Sequence, residues 1–350
     1  MFRFIAVVIT GAITLSACSS SPESTPTQGG SPELQTVRMI THESFVLSPS
    51  FVSDLLDQGI DLQITSTGDA GTLTASAILA AGAPTADLLF GIDNTLATRA
   101  TGEEVFDSYT SPELANALPQ FIQDTQGGYL TPIDFGDVCI NSDDTWFEQN
   151  GVSTPTTLEQ LPEVADLLVV QDPATSSPGL AFLLATVARF GDDWPAYWEA
   201  LRDGGVAIAG SWTDAYYTDF TPAGGDRPLV VSYATSPAAE IVFAEDASVT
   251  EPSTSVLADS CYRQVEYAGV LAGAENPAGA RLVIDAMLSR KVQEDIPLNM
   301  FVYPVRADAT LPAAFTDFTP VISSSASLPP EQVSDQLASL LDTWGTVMNR

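Results

Sequence analysis

Residues 36–65, TVRMITHESFVLSPSFVSDLLDQGIDLQIT, set down a strand, a helix and a second strand in quick succession. TVRMIT (36–41) reads as the first strand, and SPSFVSDLLDQG (48–59) as a helix with Ser48 as cap, Pro49 in the first turn and Gly59 as stop. IDLQIT (60–65) is the second strand. Further on, the glycine loop GDAG (68–71) leads into TLTASAILAAG (72–82), and ADLLFGID (86–93) is an apolar run of buried-strand type. The resulting βαβαβ order predicts an α/β fold with a mostly parallel sheet.

Near TPIDFGDVCIN (131–141) this rhythm breaks and a second series begins. It runs through the strand DLLVVQD (166–172), a Ser/Pro/Gly loop, the helix GLAFLLATVARFG (179–191) and the acidic amphipathic stretch DDWPAYWEALRDGG (192–205). VAIAG (206–210), PLVVSYAT (228–235) and CYRQVEYAGVLAG (261–273) continue as strands, before helices in NPAGARLVIDAMLSRKVQEDI (276–296) and PEQVSDQLASLLDTWGTVMNR (330–350). No repeat shows at solenoid periods. Two αβ lobes follow from the two series, and the long passage Cys261–Leu271 suits a strand crossing back between them. That favours one lobe inserted in the other, with a cleft between them where a small ligand binds.

The N-terminus carries an address. Arg3 precedes the apolar run FIAVVITGAITL (4–15), the length of a signal-peptide h-region and short for a membrane span. LSAC (15–18) resembles a bacterial lipobox, whose cleavage leaves Cys18 at the new N-terminus for acylation; the plainer alternative is an ordinary signal peptide with a chance cysteine. The Ser/Pro/Gly-rich segment after Cys18 suits a flexible tether. The expected divisions are a signal peptide (1–17), a lipid-anchored linker (18–34), a first lobe (35–135), an inserted second lobe (136–264), and the rest of the first lobe with the C-terminal helices (265–350). Cys139 and Cys261 remain, and an exported compartment permits either a disulfide between them or two buried thiols.

A formal charge of -33 repels nucleic acid and favours cationic ligands, although a solvated acidic surface accounts for most of it. The inventory argues against catalysis. His42 is the only histidine, so THESF (41–45) lacks the second histidine of a zinc site, and Lys291 is the only lysine, outside any phosphate loop. No nucleophile elbow appears. Carboxylate pairs such as Asp134 with Asp137, or Asp192 with Asp193, are expected by chance among 45 acidic residues. No catalytic residue, metal or cofactor is therefore expected. His42 itself reads first as a packed or surface residue.

Two loop ends suit an anion: Ser176 and Ser177 before Pro178 at a helix start, and TGDAGT (67–72), though Ser177 and Asp69 also serve as ordinary caps there. GSWTDAYYTDF (210–220) places Trp212 and Tyr216 four apart on one side of a helix, beside Asp214 and Asp219.

Taken together, THESF, ADLLFGIDNTL, TPIDFGD, QDPATSSPGL, SWTDAYYTDF, VVSYATSPA, YRQVEYAG and FVYPVRADATLPAAF resemble, in order and spacing, the thiamine-binding proteins of bacterial ABC importers. The resemblance runs from about residue 36 to the C-terminus. It implies a type II periplasmic-binding-protein fold with a ligand cleft between two lobes and crossover strands near Asp134–Asp137 and Val265–Gly269. It further implies a monomer that captures thiamine or a thiamine phosphate and hands it to a membrane permease. Carried over, the motifs make Trp212, Tyr216 and Tyr233 aromatic walls, place Gly68 and Asp69 on the facing lobe, set Ser176 near the hydroxyethyl or phosphate end, and complete the cage with Phe301 and Tyr303. Two positions depart from the pattern: Phe301 stands where members carry Trp, and Ala239 where some carry Tyr, which thins the expected cage. Ferric iron, a polyamine or a phosphonate are the alternative ligands for this fold. An extracellular enzyme or a structural surface lipoprotein are the more distant alternatives.

Overall fold

The computed structural model describes residues 34–246, 248–322 and 325–350. The expected signal peptide and the acylated Cys18 lie outside the described residues, as does all of the linker except Leu34. One sheet holds nine strands: β1 (Gln35–Thr41), β2 (Ile60–Ser66), β3 (Leu88–Asp93), β4 (Thr131–Asp143), β5 (Leu168–Gln171), β6 (Ala207–Ala209), β7 (Leu229–Tyr233), β8 (Thr254–Val270) and β9 (Tyr303–Pro304). Their order is β2-β1-β3-β8-β4-β7-β5-β6, with β9 on β4.

Each flank of the sheet is parallel, β1 with β2 and β3, and β5 with β6 and β7. The centre is not. β8 runs antiparallel to β3 and β4, and β4 antiparallel to β7 and β9. The expectation of a mostly parallel sheet thus fails at the centre, because βαβ reasoning extends only as far as helical crossovers do. β4 and β8 are the two strands that both flanks share: β8 pairs β3 through residues 266–270, and β4 pairs β7 through residues 138–142.

The local signals act as the sequence suggests. Gly59 takes a φ of 85 and stops the helix Pro49–Asp57, although the Ser48 hydroxyl binds Ser50 rather than a helix N–H. β3 is buried along its whole length, as its unbroken apolar run requires. The helix Ser177–Phe190 is apolar on nearly every side and is buried from Ser177 to Val187. Segment 276–296 divides into Pro277–Met287 and Arg290–Asp295, because Ser289 caps the second helix through Val292 N–H. The last helix, Pro330–Met348, packs on Trp194–Gly204, where Trp344 meets Trp198 edge to face at 5.7 Å. A region expected to complete the first lobe therefore leans on the inserted segment.

Cys139 and Cys261 are joined by a disulfide between the neighbouring strands β4 and β8, with Cα atoms 4.2 Å apart. It sits at a register break: Val138 pairs Tyr262 and Ile140 pairs Leu257, so the four residues 258–261 bulge against Cys139. Ser260 Oγ accepts from Ile140 N–H at 2.8 Å and satisfies the donor that the bulge leaves without a ladder partner.

Candidate functional site

A cavity of about 680 Å³ opens where β8, β7, the loop after β1 and the loop before β9 converge. One wall is built from a single short segment. Ser211 accepts from Asp214 N–H and starts a helical turn at Trp212–Asp214, which widens into a π turn over Ala215–Asp219. That geometry stacks Trp212 on Tyr216, with centroids at 5.1 Å and planes at 14°, and sets Tyr217 edge-on to Trp212 at 5.4 Å. Tyr233, at the end of β7, meets Trp212 at 6.2 Å.

The tryptophan is held at both of its N–H groups. Its Nε1 donates to Ser232 Oγ at 3.0 Å, and its backbone N–H donates to Asp69 Oδ2 at 2.9 Å. Asp69 Oδ1 meanwhile accepts from Ala70 N–H at 2.6 Å and caps the helix Ala70–Leu79. The carboxyl is spent on placing a ring of the wall and stands behind that wall.

Opposite stand His42, Glu43, Ser44 and Val46 from the loop after β1, and Asn299–Val302 from the loop before β9. Phe301 takes a φ of 62, unusual for an aromatic residue, and meets Phe243 edge to face at 4.7 Å. Its carbonyl accepts from the Thr235 hydroxyl, which ties the loop to the end of β7.

Acids outnumber bases in the cavity, where His42 is the one basic residue of the described lining. Glu43, Glu240 and Glu266 line it, and no Lys or Arg does among the described residues. Glu240 is fixed by Ser253 N–H at 2.8 Å and by the hydroxyls of Ser253 and Thr254. Glu266 forms an ion pair with His42 at 3.3 Å, and Ser44 Oγ holds the other ring nitrogen at 2.9 Å. Burial opposes the charge on both partners, yet their mutual attraction outweighs it: the imidazole is raised and the Glu266 carboxyl lowered from ordinary values. Beneath them Asp134 is fully buried with both oxygens unpaired to any donor, and burial followed by the Glu266 charge pushes it well up. Of the two neighbouring acids, the proton therefore favours Asp134 and the charge favours Glu266 beside the imidazole. Gly91 makes room for this: with a φ of 97, a Cβ there would lie 2.1 Å from His42 Cδ2.

Of the residues expected at the site, Trp212, Tyr216, Tyr233 and Phe301 line the cavity. Four do not. Gly68 accepts Glu43 N–H at 2.8 Å and shapes the loop behind His42, while Asp69 acts through Trp212. Ser176 is buried with its hydroxyl unpaired, and Tyr303 stacks on Phe135 at 5.4 Å. Glu43, Glu240, Glu266 and Phe243 went unread as cavity residues, although THESF and YRQVEYAG already stood out as motifs.

Residues 55–294 match the family described as Bacterial extracellular solute-binding protein. The chain is 30% identical to the Thiamine-binding periplasmic protein of Escherichia coli (strain K12) over 76% of its length and 77% of the relative's. It is 27% identical to the protein of the same name in Brucella suis biovar 1 (strain 1330), over 90% and 92%. Among solved structures, a periplasmic thiamin binding protein superposes with a TM-score of 0.78 at 26% identity, covering 92% of this chain and 98% of that one. A ferric binding protein from Campylobacter jejuni shares the fold, at 0.71 and 15%. The architecture is that of the type II periplasmic binding proteins, and no helix among the described residues is long and apolar enough to cross a membrane. With the match spanning well over half of its length, the chain belongs to the family of bacterial extracellular solute-binding proteins.

Proposed function

We propose that this protein is the thiamine receptor of an ABC importer, a non-enzymatic carrier that captures the vitamin outside the cytoplasm and delivers it to a membrane permease. The observation that carries this reading is the cavity itself, in which Trp212, Tyr216 and Tyr233 stand together with Glu43, Glu240 and Glu266. Thiamine is a flat aminopyrimidine joined to a permanently cationic thiazolium. Flat rings suit the aromatic wall, and each cation-π contact contributes about 0.5 to 2 kcal/mol. The relatives named for thiamine binding support the same ligand.

Iron suits the wall less. Burial pushes the Tyr216 phenol up, with the Glu240 charge adding to it, and burial and the Glu266 charge do the same to Tyr233. Phenolate ligands are therefore disfavoured at the start. Delivery would involve two lobes, 35–135 with 265–329, and the inserted 136–264 with the last helix Pro330–Met348 packed on it, closing about β4 and β8 as the shared strands. An acylated Cys18 would keep the carrier at the membrane, and Cys18→Ala should then release it or leave an uncleaved precursor.

Native mass spectrometry of the protein purified from thiamine-fed cells tests the assignment. A mass increment equal to one thiamine supports it; an increment matching iron, a polyamine or a phosphonate removes it.

A further inference from the structure

We infer that uptake of thiamine drives a proton off His42: the imidazolium holds, beside Glu266, the place that the ligand's cation takes, and capture tightens as the medium turns alkaline. This deepens the thiamine reading above and rests on it. His42 is the only histidine of the chain. It lines the cavity together with Glu266, and its Nε2 stands 3.3 Å from Glu266 Oε1, the two side chains being 6% and 7% exposed. The pair thus sits at the cavity wall yet is withdrawn from bulk water, where charges act on one another more strongly.

The ring is seated firmly. Nδ1 lies 2.9 Å from Ser44 Oγ, Gly91 leaves the space that Cδ2 fills, and the Phe90 ring is 5.9 Å away. The charged groups that face it are all acids: Glu266 from β8, Asp69 at the start of the helix Ala70–Leu79, and Glu43 from its own loop. Behind Glu266, Asp93 of β3 and Asp134 of β4 are its register partners on the two neighbouring strands. The Tyr233 phenol on the same cavity stays neutral, because burial and the Glu266 charge push it up. No described Lys or Arg lines the cavity, so the imidazolium is the cation that Glu266 has there.

A thiazolium in the same cavity brings a second positive charge to a carboxylate that already has one. Like charges at one site disfavour each other, and only one of these two can be given up. The thiazolium is permanent, whereas the imidazolium loses its proton to solvent near neutral pH. Glu266 then faces the ligand instead. The coupling is reciprocal: protons weaken thiamine binding by the factor by which thiamine weakens proton binding. Burial by itself lowers the imidazole, and the Glu266 charge outweighs it and holds the group above 6.5 in the ligand-free protein. The ligand brings it back down, so affinity rises with pH between the bound and free values and is level on either side.

Because the chain holds a single histidine, nuclear magnetic resonance of the untagged full chain reads His42 alone. The imidazole titration is followed with and without saturating thiamine. The expected result is a midpoint lower by about one pH unit or more with thiamine bound, matched by an affinity that rises about tenfold or more across that window. A midpoint that stays put or rises overturns the inference. Calorimetry of thiamine binding in two buffers of different ionisation enthalpy supplies the second readout. Proton release that His42→Gln abolishes supports the inference; release that is absent, or unchanged in the variant, overturns it. Should His42→Gln not fold, the resonance measurement on the wild type decides alone. Thiamine that binds without displacing the midpoint sinks this inference only, whereas thiamine that fails to bind sinks the thiamine reading along with it.

Discussion

At the scale of single residues, Trp212 does the most. Its ring faces the cavity, its indole N–H is spent on Ser232, and its backbone is pinned by Asp69. Trp212→Ala should weaken thiamine binding by about 2 kcal/mol or more, the range of a hot-spot truncation, while a melting curve shows the fold retained. Asp69→Asn should weaken binding of thiamine and of a neutral pyrimidine analogue alike, since Asp69 holds the Trp212 backbone and does not line the cavity. His42 offers a pH signature. Its imidazole is raised above the ordinary 6.5, so the stability it contributes is complete below that value and is lost as pH rises through the higher folded value. Glu266 is lowered from 4.5, so its contribution is present above 4.5 and is lost as pH falls below it. Asp93 acts at lower pH: burial pushes it up to about 6, so its contribution is complete below 3.8 and is lost as pH rises to about 6. In a melting series across pH, His42→Gln should remove the decline above 6.5 attributable to the imidazole; a decline unchanged in the variant would show that the His42–Glu266 pair is not its source.

At the scale of elements, the bulge on β8 and its disulfide join the two strands that both flanks share. The bond closes a loop of sequence separation 122, and in the chain-entropy model such a loop stabilises by roughly 4 to 5 kcal/mol. A serine variant at Cys139 should melt well below the wild type under non-reducing conditions, and thiol titration of the unfolded wild type between residues 34 and 350 should find none free. Elements with purely local causes were legible in advance: the helix 49–57 from Pro49 and Gly59, and β3 from its apolar run. The end of β4 beyond the expected crossing at Asp134–Asp137 and the first part of β8 were not: VCINSD mixes polar residues into a strand buried between β7 and β8, and TSVLADS pairs only β4 and stays half exposed. The cavity showed the same division. Its aromatic wall announced itself at helical spacing, while Glu266 is one acid among 45 and only the pairing of β8 beside His42 singles it out.

At the scale of the whole molecule, the first flank of the sheet and the inserted segment meet closely around Gly71. Thr72 N–H donates to Thr175 carbonyl at 3.2 Å, and a Cβ at Gly71 would lie 2.6 Å from that same oxygen. Only glycine permits so near an approach of two backbones. Gly71→Ala should hold the segments apart and lower ligand affinity several-fold without altering any residue of the cavity wall, a change that calorimetry and solution scattering would register together. The acidic surface fits the same picture of an exported carrier for a cation, through solubility first and attraction second. Titrating ligand-free full-length protein with thiamine is the most direct measurement of whether the cavity is a thiamine site. One saturable site per chain, lost in Trp212→Ala while the melting transition persists, is the outcome expected here; a folded protein that takes up no thiamine would contradict it.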